Sequence, residues 1–456
     1  MNSPVYQTVI VGGGFTGLFT ALHLAHAHYP RSVILIDKNE RFCFKPLLYE
    51  YFDGEMDSFQ VVPRFAELLH RSGVIFIQDT VQFIDLHQRQ VKLVSGDVYK
   101  YSNLVLALGS VTGYHHVKGA EENAFPFWRQ ADAIALDKHL RECLHQAVQT
   151  PDIEQRQKLL TVVVVGGGPS GVEMAATLAD FLPHWYAALG GNSAEIRVIL
   201  LNHGQEILAG DINNLLRQIA EKELQKRTVK IEIITGAEAT NVHPHFIELK
   251  HNNEVKILPT HTTIWTAGTS THPLIKNLPI SPENRDHHGR VLVTPTMQLL
   301  DFPEVFAGGD CAAVQDTSLP PTAQVAYQQG ANIAQNLQRL ALGEDTKPTK
   351  VNIRGTLLKL GLNDAAANLF NIFEVTGEPA HLIRQGTYLT LLPTPIHDFE
   401  ATTEWLDEEI FHHHIDPHEV GKKVIQTVEL VGAGIIGILV TRKLLKILGD
   451  EEKSTT

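Results

Sequence analysis

Cysteine is scarce in this chain of 456 residues: Cys43, Cys143 and Cys311 lie far apart, and no C-x-x-C occurs. That removes a disulfide framework and a thiolate zinc site, and it fits a reducing compartment. Positive charge is short too. The formal net charge of −13, with no basic stretch interleaved with aromatics, argues against a nucleic-acid binder. No uncharged apolar run reaches the ~18 residues that a membrane span requires. The amino end has no basic-then-apolar leader pattern, because β-prone residues begin by about Tyr6. The bulk is globular material, 43% hydrophobic and 20% charged, and this length suits roughly three domains.

What the chain does have is glycine in a pattern. Thr161 to Glu173 reads TVVVVGGGPSGVE. A β-prone run enters a G-x-G-x-x-G of Gly166, Gly168 and Gly171, and a helix-compatible run follows. This is the strand, tight turn and helix of a dinucleotide fingerprint, with the pyrophosphate on the helix N-terminus. Residues 5–17, VYQTVIVGGGFTG, repeat it with Gly12, Gly14 and Gly17. A second strand there ends at Asp37, 20 residues beyond Gly17, where a carboxylate can hold a ribose hydroxyl pair. Two such units imply two nucleotides, a resident flavin and an exchanging nicotinamide. The strands Leu104 to Gly109 and Val305 to Ala312 each close on glycine, and Asp310 stands where an acid can hold a ribityl chain.

Taken together, GGGFTG, LALGS, GGGPSG, WTAGT and GGDCA resemble the two-dinucleotide-binding flavoprotein superfamily. The stretch PPTAQVAYQQG, residues 320–330, is similar to the A-Q-x-A-x-Q segment of its type II NAD(P)H:quinone oxidoreductases, and Phe44 to Glu50, FKPLLYE, resembles another of their elements. The longer run after Phe44 looks most like the cyanobacterial and chloroplast branch that reduces demethylphylloquinone. Disulfide reductases need a redox cysteine pair and sulfide:quinone oxidoreductases a late second cysteine; neither is present, so Cys311 is expected as packing.

The resemblance implies an α/β fold with two Rossmann-like dinucleotide-binding domains, one for FAD and one for NAD(P)H, the second inserted in the first. A C-terminal membrane-associating region would follow. The expected spans are 1–155 and 285–342 for FAD, 156–284 for NAD(P)H, and 343–456 for membrane association or dimerisation. It implies that Lys45, Gly109, Ala323 and Gly268 join the cofactor-contacting set. Gln324 and Gln328, four apart on a helix capped by Thr322, would face a quinone headgroup, or else form an ordinary polar surface. Glu173 has two compatible readings: an acid complementing its helix dipole, or a carboxyl near both cofactors that handles protons.

The strand Ile196 to Leu201 ends at Asn202, where NADH-using relatives carry an acid. A neutral amide removes the repulsion toward a 2′-phosphate, so NADPH is expected, with NADH also accepted. No metal is expected: His412 to His414 and His418 fall around Pro417 without cysteine support. Near the C-terminus, Gly432, Gly434 and Gly437 match the glycine spacing, but only 19 residues follow, too few for a βαβ unit. Leu430 to Val440 would span ~16 Å as a helix, with Arg442, Lys443 and Lys446 beyond it. Such a helix can lie in a membrane interface, or cover the protein's own core or a homodimer partner. The partners expected are a lipid-soluble quinone and the cytoplasmic side of a membrane, reached peripherally. The rival readings are a soluble reductase of an electron-carrier protein and a binding protein that keeps FAD structurally.

Overall fold

The computed structural model describes residues 7–389, apart from 211, 349, 354 and 370–372. The first sheet has five parallel strands in the spatial order Val305–Ala307, Asn103–Leu106, Gln7–Val11, Ser32–Asp37 and Ile75–Gln78. Val9, Ile10 and Val11 are buried, as are Leu104 to Leu106. An unbroken apolar run of this kind suits a parallel strand covered on both faces. The helix Phe15–His26 follows the first strand, and Ala323–Ala341 packs along it. Their approach is close because Gly330 has no side chain: a Cβ there would lie 2.6 Å from the Thr16 carbonyl oxygen. The hydroxyls of Thr16 and Thr20 each donate to the later helix, at Ala326 O and Gly330 O, both at 3.1 Å.

The second sheet is also parallel, in the order Glu232–Ile234, Arg197–Leu201, Thr161–Val165, Thr262–Trp265 and Phe125–Pro126. A second domain starting at residue 156 leaves its last strand unexplained. Phe125–Pro126 and the helix Gln130–Gln149 precede that boundary, yet Leu136, Leu140 and Leu144 share one core with Val162, Val164 and Leu178. The apolar face of that helix has its partner in the later sheet, which moves the boundary to an earlier position. An antiparallel hairpin sheet, Ala237–His243, Phe246–His251 and Glu254–Pro259, covers part of this unit.

The span expected as a separate C-terminal region from 343 needs the same correction. Gly355–Gly361, Asp364–Leu369 and Phe373–Gly377 form an antiparallel sheet, followed by the helix Glu378–Leu389. Leu358, Leu360 and Ala366 enter the core of the second nucleotide unit, against the helix Pro169–Ala188. Arg227 fastens the two layers, its guanidinium 3.0 Å from Asp180 and 2.6 Å from Asp364. The amphipathic run near Leu430 to Val440 and the histidines at 412–414 and 418 lie outside the described residues. Among the described residues no helix is long and apolar enough to cross a membrane, and no cluster of three or more His, Cys, Asp or Glu side chains is arranged for a metal.

Candidate functional site

The two glycine loops have the same construction. Gly12 has φ +101° and Gly166 φ +113°, and a Cβ on Gly17 or Gly171 would lie 1.8 Å from the carbonyl oxygen of Gly12 or Gly166. Any side chain at the third glycine therefore breaks the turn. Gly14 and Gly168 face open space. Each is the N-cap of its helix, with no side-chain cap and no acid in the first turn. Bare N–H groups and an open approach are what a pyrophosphate needs, so both loops fit a dinucleotide.

Asp37 and Asn202 occupy equivalent places at the lips of these loops. Asp37 Oδ2 accepts from Gly13 N at 2.7 Å, and Asn202 Oδ1 accepts from Gly167 N at 3.1 Å. The Asn202 amide nitrogen also donates to Gly204 O and Glu206 O, at 3.1 and 2.8 Å. A carboxylate has no such donors. The amide thus shapes the 203–206 loop as well as lowering the local charge, which the strand-end position alone did not reveal. Gly268 follows Ala267, which packs against Gly166, and lies next to His115, whose Nε2 is 2.8 Å from Ala267 O.

On the first unit, Ser110 next to Gly109 donates its hydroxyl to Asp310 at 2.9 Å. Lys45 is half-buried, with its Nζ 3.2 Å over the Trp128 ring. Burial lowers its pKa to about 8, with Asp310 opposing. Cys311 is fully buried and donates weakly to Leu106 O and Gly308 O. Burial pushes its thiol up to about 11, so it offers no thiolate at neutral pH. Thr322 caps the helix that opens at Ala323, accepting from Val325 N at 3.3 Å. Gln329, one residue past the expected pair, accepts from Gly309 N at 2.7 Å and ties this helix to the Asp310 turn.

Gln328 has its carboxamide engaged within the chain. Its Nε2 donates to Gln324 O and Asn352 O, and its Oε1 accepts from Asn352 N at 2.8 Å. In this arrangement the carboxamide closes the helix onto the incoming 350–353 segment.

Glu173 is the fifth residue of Pro169–Ala188, too far along for its own helix N–H groups. Its Oε1 instead accepts from Lys359 N at 2.9 Å and lies 3.7 Å from Arg384 Nη2. Burial raises its pKa to about 7, against the pull of Arg384. Behind it lies a group with no signature in the sequence. Lys359, fully buried, stands 2.7 Å from Asp53, 2.7 Å from Glu55 and 3.6 Å from Glu50. Arg384 pairs with Glu50 as well as Glu173. Glu50 is the last residue of the FKPLLYE element and Asp53 lies three residues beyond it, so motif, the helix of the second glycine loop and the C-terminal layer meet at one ionic centre.

The pyridine nucleotide-disulphide oxidoreductase family profile matches residues 6–330. The demethylphylloquinone reductase NdbB of Synechocystis is 33% identical over 87% of this chain and 95% of its own. The alternative NAD(P)H-ubiquinone oxidoreductase C1 of Arabidopsis thaliana is 31% identical over 88% of this chain and 80% of its own. Among solved structures, NDH2 from Plasmodium falciparum with NADH superposes with a TM-score of 0.79 at 18% identity, covering 90% of this chain and 99% of that one. That likeness speaks for the fold. All three cysteines are free, so the disulphide in the family's description has no counterpart here. With FAD and NAD(P)H as its cofactors and a quinone as its acceptor, the chain belongs to the type II NADH:quinone oxidoreductases within that family.

Proposed function

We propose that the protein reduces a membrane naphthoquinone of the demethylphylloquinone type, taking hydride from NADPH in preference to NADH. The 33% identity to a demethylphylloquinone reductase along 87% of the chain carries the quinone assignment. The uncharged amide of Asn202 at the second glycine loop supports the nucleotide preference. Bound FAD supplies the two-electron centre between nucleotide and quinone.

The rest falls to the protein. In this reading Gly12, Gly14, Gly17 and Asp37, with Lys45, Gly109, Asp310 and Ala323, hold the flavin nucleotide. Gly166, Gly168, Gly171, Asn202 and Gly268 hold NAD(P)H. Gln324 orients the quinone by donating to a carbonyl without adding charge. Glu173 holds a proton near neutral pH, where its pKa of about 7 suits transfer in either direction. The chain acts at a membrane surface, and its domains follow the spans 1–155, 156–284, 285–342 and 343–456 with the shifts described above.

Anaerobic reduction of the bound flavin by NADPH or NADH, then reoxidation by a demethylnaphthoquinone, plastoquinone or ferricyanide, tests both assignments. Reoxidation by ferricyanide alone would exclude the quinone reading. Replacing Asn202 with Glu should lower the NADPH/NADH ratio of kcat/KM; an unchanged ratio would remove Asn202 from the argument.

A further inference from the structure

We propose that the carboxyls of Glu55, Asp53, Glu50 and Glu173, strung on Lys359 and Arg384, form the route by which a solvent proton reaches Glu173 in each turnover. The inference rests on the proton-handling reading of Glu173. The reaction requires such a route: NAD(P)H + H⁺ + quinone gives NAD(P)⁺ + quinol. Hydride brings two electrons and one proton, so the second quinol O–H takes its proton from water.

The geometry is a run of contacts from the partly exposed Glu55 through two fully buried carboxyls to Glu173. The Glu55 side chain is 18% exposed, those of Asp53 and Glu50 are 0%, and that of Glu173 is 11%. Asp53 and Gly54 also form part of the wall of an open cleft of about 300 Å³, shared with Ile134, Asp137, Arg141 and Trp185. The Nζ of Lys359 touches Glu55, Asp53 and Glu50, so these acids can be no farther apart than two such contacts laid end to end. Arg384 joins Glu50 to Glu173 across its guanidinium, with Nη1 on Glu50 and Nη2 3.7 Å from Glu173. Between such neighbours a proton passes through bridging water or a turned side chain.

The charges leave room for protons. Four carboxyls face two fixed cations, and His381, 1% exposed with neither ring nitrogen hydrogen-bonded, adds no charge because burial takes it down to about 4. Buried oxygens of Glu50 and Glu55 also lack hydrogen-bond partners. A purely structural clamp gains nothing from surplus buried acids, which cost stability when ionised. Burial and Glu55 raise Asp53 to about 8 against the pull of Lys359. Burial also opposes ionisation of Glu50, but Arg384 and Lys359 keep its pKa low. A protonated site thus adjoins an ionised one, the arrangement a relay needs.

The test compares the Asp53→Asn and Glu55→Gln holoenzymes with the wild type between about pH 6 and 9. The expected result is quinone-dependent turnover lowered roughly tenfold or more, with a larger solvent deuterium isotope effect and partial rescue by added formate. Flavin bleaching by NAD(P)H should keep its wild-type rate. In the apoprotein, Asp53→Asn should remove an infrared carboxyl band that titrates near 8. Wild-type turnover and isotope effect in both variants would overturn the route. So would equal loss of bleaching and turnover without rescue, the mark of a clamp alone. A wild type that reduces no quinone would refute the functional reading itself.

Discussion

Substituting methionine for Lys359 keeps most of the side-chain volume and removes the cation at the centre of the ionic group. Its Nζ is fully buried and within 3.6 Å of Glu50 and 2.7 Å of both Asp53 and Glu55. Removing one partner of a buried ion pair costs about 3–5 kcal/mol, chiefly through the charges left behind. The cost depends on pH with a definite sign. Asp53 is raised by burial even with the lysine in place, and without the cation its folded-state pKa lies further above the unfolded value of about 4. Its stabilising contribution is then full below the unfolded value and is lost as pH rises toward the folded one. Asp53 already stands at about 8 with the lysine in place, so the loss extends to pH 8 and beyond. The assay is hydrogen exchange of the strand Gly355–Gly361, variant against wild type at each pH. At about pH 9, exchange should be faster by roughly a hundred- to several-thousand-fold, each 1.4 kcal/mol being about tenfold. Toward pH 5 the difference should shrink. The triple variant Lys359→Met, Asp53→Asn, Glu55→Gln should recover most of the protection, because the uncompensated charges go too. Unchanged protection at pH 9, or a penalty that grows toward acid, would refute the reasoning.

Three further outcomes follow from the geometry. Gly14→Ala adds a Cβ to open space, so the apoprotein should fold normally while FAD retention falls by at least about tenfold, as equilibrium dialysis would show. Arg227→Met leaves Asp180 and Asp364 buried without their cation; a loss of about 3 kcal/mol is expected, read as faster exchange in Asp364–Leu369. Cys311→Ser keeps a donor for Leu106 O and Gly308 O; turnover should stay within about twofold of wild type, since no thiolate exists there to lose.

The glycine loops were legible because they are local. Gly12 and Gly17 are five residues apart, and the contact that forbids a side chain at Gly17 is with Gly12 itself. The Thr322 cap, closed three residues on at Val325, is equally local. The two-residue strand Phe125–Pro126 was not legible, because it lacks periodicity and owes its existence to Thr262–Trp265, far along the chain. Lys359 was hidden for a related reason. A lone lysine in a strand looks like a solvent-facing residue, and its bond to Glu173 spans 186 residues. Gln328 shows the opposite case: helical spacing put it on a face with Gln324, but Asn352 decides what its amide does.

The place of Val305–Ala307 in the first sheet sets an order on assembly at the ribosome. That strand pairs with Leu104 to Leu106, which emerges about 200 residues earlier. At about 5–20 residues per second the wait is roughly 10–40 s. Meanwhile, Asn103–Leu106, an apolar strand, presents an open edge ready to pair with another nascent chain. The second sheet draws its strands from one continuous stretch, Phe125 to Trp265, and closes within that interval. The second sheet is therefore paired first, the first sheet, begun at the seventh residue, is completed after it, and the core beneath the helix Pro169–Ala188 closes last, when Leu358, Leu360 and Ala366 arrive. A chaperone that shields the LVLA edge during those seconds would raise the yield of folded enzyme without touching either active-site loop.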